Sequence, residues 1–119
     1  MAENRAKRIV IADDNLEICE LITDTLKNMG HEVVTVHDGY ELLKHLELNS
    51  PDIIILDLMM PEKNGISILS TIKQSSSNSR IIIYTGHHEY RTSVYARKVD
   101  RFVVKGDSIE KLIAAVQEL

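Results

Sequence analysis

The run Ile53-Ile54-Ile55-Leu56 ends on Asp57, and no polar residue interrupts it. A strand with one face in water alternates apolar and polar side chains. An unbroken apolar run instead belongs to a strand covered on both faces, the signature of a parallel sheet packed between helices. The pattern recurs three times: Ile9 to Ala12 runs into Asp13 and Asp14, Ile81 to Tyr84 into Thr85, and Phe102 to Val104 into Lys105. Open α/β sheets place ligands outside the carboxyl ends of their strands. Four strand ends carrying three carboxylates, a hydroxyl and an ammonium are therefore expected to face one site.

Stretches with helical spacing separate these strands, so strand and helix alternate five times. The first helix is expected from Asn15 to Met29, with Ile18, Ile22, Leu26 and Met29 on one face and Gly30 as the stop. Asp38 and Glu41 have capping-box spacing before Leu42, Leu43 and Leu46, and Asp107 and Glu110 repeat it before Leu112, Ile113 and Val116. Ile68, Leu69 and Ile72 mark a third helix that gives way at Ser75 to Ser79. From His87 to Val99 the apolar stripe is only partial, so a helix there should be the least firmly held. Val33 to Val36, flanked by His31, Glu32, His37 and Asp38, suits an edge strand. Five βα repeats fit an open, doubly wound parallel sheet; a closed barrel needs about eight units. At 119 residues, one domain spanning 1–119 is expected.

Charge and cysteine usage narrow the function classes. The net charge of −4 argues against nucleic acid as the direct partner, although residues 61–119 carry 9 Lys or Arg against 6 Asp or Glu. A basic face could thus meet an acidic protein surface. The lone Cys19 has no internal disulfide partner, and no apolar run approaches the length of a membrane span. A cytoplasmic location is the expectation.

Three carboxylates brought close together repel unless a cation or proton joins them. Hard oxygen ligands favour Mg²⁺ or a similar divalent ion, which also binds phosphate. Lys105 adds a mobile positive charge suited to a phosphoryl oxygen, and Thr85 a hydroxyl donor to the same group. Asp57, on the most apolar strand, is the best candidate for a nucleophile that takes up a phosphoryl group as an acyl phosphate. The turn Met59-Met60-Pro61 beside it could offer a backbone carbonyl to the metal. Any of these residues alone reads more plainly as a helix cap, a solvated strand-end charge or a core side chain; their alignment reverses that reading. His87 and His88 are adjacent and lack the i, i+4 spacing of a shared metal ion.

Together, Ala12-Asp13-Asp14-Asn15, Asp38-Gly39, Pro51-Asp52 leading to Leu56-Asp57-Leu58-Met59-Met60-Pro61, Asn64-Gly65, Tyr84-Thr85-Gly86 and Phe102-Val103-Val104-Lys105 resemble the response-regulator receiver domain of two-component signalling. The resemblance covers essentially the whole chain. It implies a flavodoxin-like (βα)5 fold with strand order 2-1-3-4-5. It also implies that Asp57 accepts a phosphoryl group from a histidine kinase or a histidine phosphotransfer protein. By the same resemblance, Asp13, Asp14, Asp57 and the Met59 carbonyl bind Mg²⁺ or Mn²⁺, and Thr85 and Lys105 bind the phosphoryl oxygens. Phe102 matches the switch aromatic that turns inward as Thr85 moves, coupling the site to the face made by the fourth helix, fifth strand and fifth helix. Met59 and His87, each two residues past a site residue, fall at the mouth of the site and are expected to tune the lifetime of the phosphorylated state. The reading makes the chain catalyse its own phosphorylation and slow hydrolysis, without turnover of an external metabolite. The output would be a downstream protein or an effector domain beyond this chain, with homodimerisation through the same face also open.

Two positions depart from the family pattern. Gly106 follows Lys105 where many receivers have Pro, so a more mobile lysine loop is expected. Thr85 and Lys105 also stand about two residues closer than in the family, a shortening in or beside the fourth helix. These departures motivate one rival, an interaction module that keeps the receiver fold with impaired switching. A hydrolase using an Asp nucleophile would want a second acid where Met59 stands, and a nucleotide-binding domain would want glycines where Asp13-Asp14-Asn15 stands.

Overall fold

A computed structural model describes residues 6–60 and 65–119. The strands are β1 (Arg8–Ala12), β2 (Glu32–Val36), β3 (Ile53–Leu56), β4 (Arg80–Thr85) and β5 (Arg101–Val104), all parallel and ordered β2-β1-β3-β4-β5. The helices are α1 (Leu16–Asn28), α2 (Gly39–Leu48), α3 (Gly65–Ser75), α4 (Val94–Arg97) and α5 (Ile109–Glu118), with a 3-10 turn at His88–Thr92 before α4. The doubly wound order and the edge position of β2 are as expected. Pro61 and Asn64, two of the residues that carry the resemblance, lie outside the described residues.

Alternating side chains of each central strand feed two separate cores, which is why the strands read as continuous apolar runs. Ile9, Ile11, Ile53, Ile55, Ile82 and Tyr84 pack with Cys19, Ile22 and Leu26 of α1 and Leu112 and Val116 of α5. On the other face Val10, Ala12, Ile54 and Leu56 pack with Leu42 and Leu46 of α2 and Ile68, Leu69 and Ile72 of α3. Each fully buried aliphatic side chain is worth roughly 1.5–3 kcal/mol relative to exposure, so the central strands are the most firmly held part of the chain.

Local signals set the helix ends. Asn15 caps α1 by accepting from the Ile18 N–H, and Gly30, at φ +96°, ends it. The His31 N–H reaches the Leu26 carbonyl at 3.1 Å and the Gly30 N–H that of Lys27 at 2.9 Å, a Schellman pair of bonds that satisfies the last carbonyls. Asp38 caps α2 by accepting from the Glu41 N–H at 2.9 Å, and the Glu41 carboxylate accepts from the His37 N–H at 2.7 Å.

One expectation is corrected, and the expected weakness of the fourth helix is borne out. The cap of α5 is Ser108, whose Oγ accepts the Glu110 N–H at 3.0 Å. Asp107 instead pairs with Lys111 at 3.3 Å and Arg91 at 3.9 Å, because the chain turns at Gly106 and enters the helix one residue later than the capping pattern suggests. The fourth helix is reduced to the 3-10 turn and the single turn of α4, neither of which fully buries a side chain. Its partial apolar stripe, with Arg91, Arg97 and Lys98 around Tyr90, Val94 and Tyr95, leaves too little burial to hold more turns.

Candidate functional site

Strand register builds the site. Ala12 stands opposite Leu56 and Thr85 opposite Val104. The Asp57 N–H donates to the Ala12 carbonyl at 2.9 Å, and the Lys105 N–H to that of Thr85 at 2.8 Å. Asp13, Asp57, Thr85 and Lys105 therefore leave four neighbouring strands at the same end of the sheet. Ligand oxygens of Asp13, Asp14 and Asp57 lie within 4.8 Å of one another. Asp13 and Asp57 are 1% and 6% exposed, whereas Asp14 faces solvent.

The Lys105 ammonium binds this group from β5. Its Nζ lies 2.6 Å from Asp13 Oδ2 and 3.2 Å from Asp57 Oδ2, and it also stands 5.9 Å from the centre of the Tyr84 ring. The Met59 N–H donates to Asp57 Oδ1 at 3.3 Å and the Asn15 N–H to Asp13 Oδ1 at 2.9 Å. Burial pushes the Asp57 carboxyl above its ordinary pKa; the Lys105 charge and the Met59 N–H work against this, and Asp13 works with it. Burial also works to lower the Lys105 pKa, but the bond to Asp13 and the charges of Asp57 and Asp13 outweigh it and hold the ammonium above its ordinary value.

Thr85 is fully buried, and its Oγ accepts the His87 N–H at 3.3 Å, which leaves the hydroxyl proton to donate elsewhere. The His87 imidazole meets Glu89 at 3.4 Å and the edge of the Tyr90 ring, so this residue touches the site region through its backbone. Met59 is 41% exposed beside Asp57. Phe102 is half-buried on β5, and the Arg91 guanidinium lies over its ring at 6.0 Å while pairing with Asp107. Gly106 adopts φ +100° with open space where a Cβ would stand, and Lys105 bridges to Asp107 across it.

The sequence reading missed the second layer around Asp13. The Asp13 carbonyl receives Cys19 Sγ at 3.3 Å and His37 Nδ1 at 3.1 Å. Cys19 follows from helix periodicity as a core residue, and its thiol is pushed up to about 11 by burial and then by Asp13, which keeps it protonated and able to donate. His37 carries no motif. Its one signal is its place immediately after β2, beside the end of β1.

Three carboxyl groups gathered around one ammonium form a ligand set made entirely of oxygen. That fits a hard divalent cation, and the Asp13–Asp14–Asp57 group has the ligand chemistry to hold one.

Comparison with known proteins agrees with this geometry. The family model for the response regulator receiver domain matches residues 9–117. The chain is 30% identical over 115 residues to the alkaline phosphatase synthesis transcriptional regulatory protein PhoP of Bacillus subtilis, covering 95% of this chain and 48% of that protein. It is 35% identical over 104 residues to the CAI-1 autoinducer sensor kinase/phosphatase CqsS of Vibrio cholerae, covering 83% of this chain and 15% of that one. The chain thus spans half or less of the curated relatives it matches. Among solved structures it is similar to the response regulator TrrA of Thermotoga maritima in complex with Mg²⁺ and BeF, with TM-score 0.86, 31% identity and coverage of 94% of this chain and 97% of that one. TrrA bound to the histidine kinase ThkA superposes with TM-score 0.85 at the same identity and coverage. From its matched span and the strand-end site that the sheet assembles, this chain belongs to the response regulator receiver domain family.

Proposed function

We propose that residues 1–119 act as one phospho-accepting receiver in which Asp57 takes a phosphoryl group from a histidine kinase or a histidine phosphotransfer protein. The observation that carries this reading is the Asp57 carboxylate, buried at the end of β3 between the Met59 N–H and the Lys105 ammonium, with Asp13 and Asp14 beside it. In the transfer an Asp57 oxygen forms the new O–P bond as the N–P bond of the donor phosphohistidine breaks, and the electron pair leaves with the imidazole nitrogen. Lys105, already touching Asp57 Oδ2, neutralises charge on the phosphoryl oxygens, and the Thr85 hydroxyl donates to one of them. Asp13, Asp14, Asp57 and the Met59 carbonyl would hold Mg²⁺ or Mn²⁺, which supplies charge neutralisation at the phosphoryl group. The complex of TrrA with ThkA supports a histidine kinase as the partner, and a cytoplasmic location fits that partner and the reduced Cys19.

The output follows from what Thr85 and Lys105 hold. Drawing Thr85 toward a phosphoryl group pulls on the His87 N–H and the turn after it, while Phe102 lies under Arg91 on the neighbouring strand. The face made by residues 88–109 and α5 is thereby altered for a downstream protein, an effector domain or a second copy. By the family resemblance, Met59, exposed beside Asp57, and His87, bonded through its N–H to Thr85, set how fast water removes the phosphoryl group. Several-fold changes in dephosphorylation rate are expected for Met59→Asn and His87→Ala; unchanged rates in both would remove that role.

The test is incubation with acetyl phosphate and Mg²⁺, read by intact mass, and with beryllofluoride and Mg²⁺, read by NMR. Wild type should form both adducts and Asp57→Asn neither. No adduct in wild type defeats the reading. The reduced fourth helix favours a second reading, a receiver-fold interaction module with impaired switching; it is supported if the adduct forms while resonances of Phe102 and residues 88–97 stay unchanged.

A further inference from the structure

The carbonyl of Asp13 occupies the place where the β1–β2 ladder ends. Ala12 pairs with Val36, and the Asp13 N–H donates to the Val36 carbonyl at 3.1 Å. In a continuing parallel ladder the next donor, to the Asp13 carbonyl, would be the N–H of residue 38. The chain instead turns into α2, with Asp38 as its cap. A buried carbonyl left without a donor is destabilising, and here the His37 imidazole fills the gap with Nδ1 at 3.1 Å. A carbonyl cannot donate, so Nδ1 must carry the proton. The other group on this carbonyl, Cys19 Sγ at 3.3 Å, is a weak donor.

We propose that His37 is a positioning residue for the metal-binding carboxylates. It holds the plane of the Asp13–Asp14 peptide and so aims both side chains at the ion. The inference rests on the reading of Asp13, Asp14 and Asp57 as a Mg²⁺ site. Asp14 is exposed, so packing contributes little to its direction and its backbone contributes most. The Asp13 peptide is fixed at its N–H by Val36, at its carbonyl by His37 and Cys19, and at Oδ1 by the Asn15 N–H. His37 is itself held, because its backbone N–H donates to Glu41 Oε1 at 2.7 Å in the first turn of α2. The chain of contacts thus ties the orientation of two metal ligands, through the main chain, to the start of α2.

The experiment is calorimetric titration of the full chain with Mg²⁺ in wild type, His37→Ala, His37→Asn and Asp13→Asn, with thermal midpoints for each and long-range ¹H–¹⁵N spectra of the wild-type imidazole. His37→Ala should weaken Mg²⁺ binding by about tenfold, at the low end for outer-shell partners. His37→Asn, which puts an amide donor at the same branch position, should recover most of that loss. The wild-type His37 spectrum should show the proton on Nδ1. If His37→Ala binds Mg²⁺ as wild type does and changes only the thermal midpoint, or if the proton sits on Nε2 alone, the inference is overturned while the metal reading stands. If wild type binds no Mg²⁺ and Asp13→Asn is indistinguishable from it, the metal reading itself falls, and the inference with it.

Discussion

Replacing Lys105 with Met keeps the length and apolar stem of the side chain and removes the charge that two buried carboxylates share. The ammonium and its partners are 17%, 2% and 8% exposed at the side chain, so solvent screens them little. At an effective dielectric of about 20, contacts of 2.6 and 3.2 Å attract by roughly 6 and 5 kcal/mol. Desolvation of Lys105 offsets much of this, and breaking a buried pair typically costs about 3–5 kcal/mol. That is a large share of the 5–15 kcal/mol by which a domain is usually stable. The variant should therefore fold with a much lower urea midpoint at pH 8 without metal. Loss of Lys105 also removes an influence that lowers the Asp57 pKa, so the carboxyl rises further above its unfolded value. A raised carboxyl pKa means stability that is present at low pH and lost as pH rises through the folded pKa, so the gap to wild type should widen from acidic to alkaline buffer. Mg²⁺ should narrow it, because three uncompensated carboxylates bind a dication more tightly than three shared with an ammonium; each tenfold gain in affinity returns about 1.4 kcal/mol at saturation. In the Asp57→Asn background, Lys105→Met should cost less by about 1–3 kcal/mol. A metal-free gap below about 1 kcal/mol, or one that Mg²⁺ widens, refutes this account of the charge cluster.

Two further outcomes follow from positions outside the carboxylates. His31 is buried with Nδ1 accepting the Lys7 N–H at 3.1 Å, and burial first, then Lys7, hold its pKa below the ordinary 6.5; the stability it contributes is present above 6.5 and lost as pH falls through the folded value. His31→Asn keeps the acceptor and cannot protonate, so its stability between pH 7 and 5, measured by urea unfolding, should be flatter than that of wild type. Gly106 stands at φ +100° with no neighbour within 4 Å of an added Cβ; Gly106→Ala should cost about 1–2 kcal/mol from backbone strain alone, and a cost near zero would mean that the lysine loop readily adopts another conformation.

The central sheet was legible because burial on both faces removes the polar alternation, so Ile53 to Leu56 and Ile81 to Tyr84 announce themselves without any partner. Asp57, Asp13, Thr85 and Lys105 were legible for the same reason, each marking where an apolar run stops. The role of Ser108 was not, because Asp107 and Ser108 are both good capping residues and the choice between them is made by Gly106, whose turn delays the helix. The contact of His37 with Asp13 spans two strands and depends on where the ladder ends, a three-dimensional fact with no sequence period. The short α4 lay between: its weak stripe was visible, and with so few apolar side chains to bury the segment holds only a 3-10 turn and one α turn.

That segment has a consequence for how information leaves the site. Backbone bonds of a 3-10 turn and a single α turn close few rings, and with no fully buried side chain among residues 88–97 local opening there costs only a small part of the global unfolding free energy. Its amides should exchange with solvent well ahead of those in β4. A partner that grips this stretch must order it, so part of the binding free energy goes into the conformational entropy of ten residues, and anything at Thr85 that stiffens the turn beforehand raises affinity without adding a single contact to the interface.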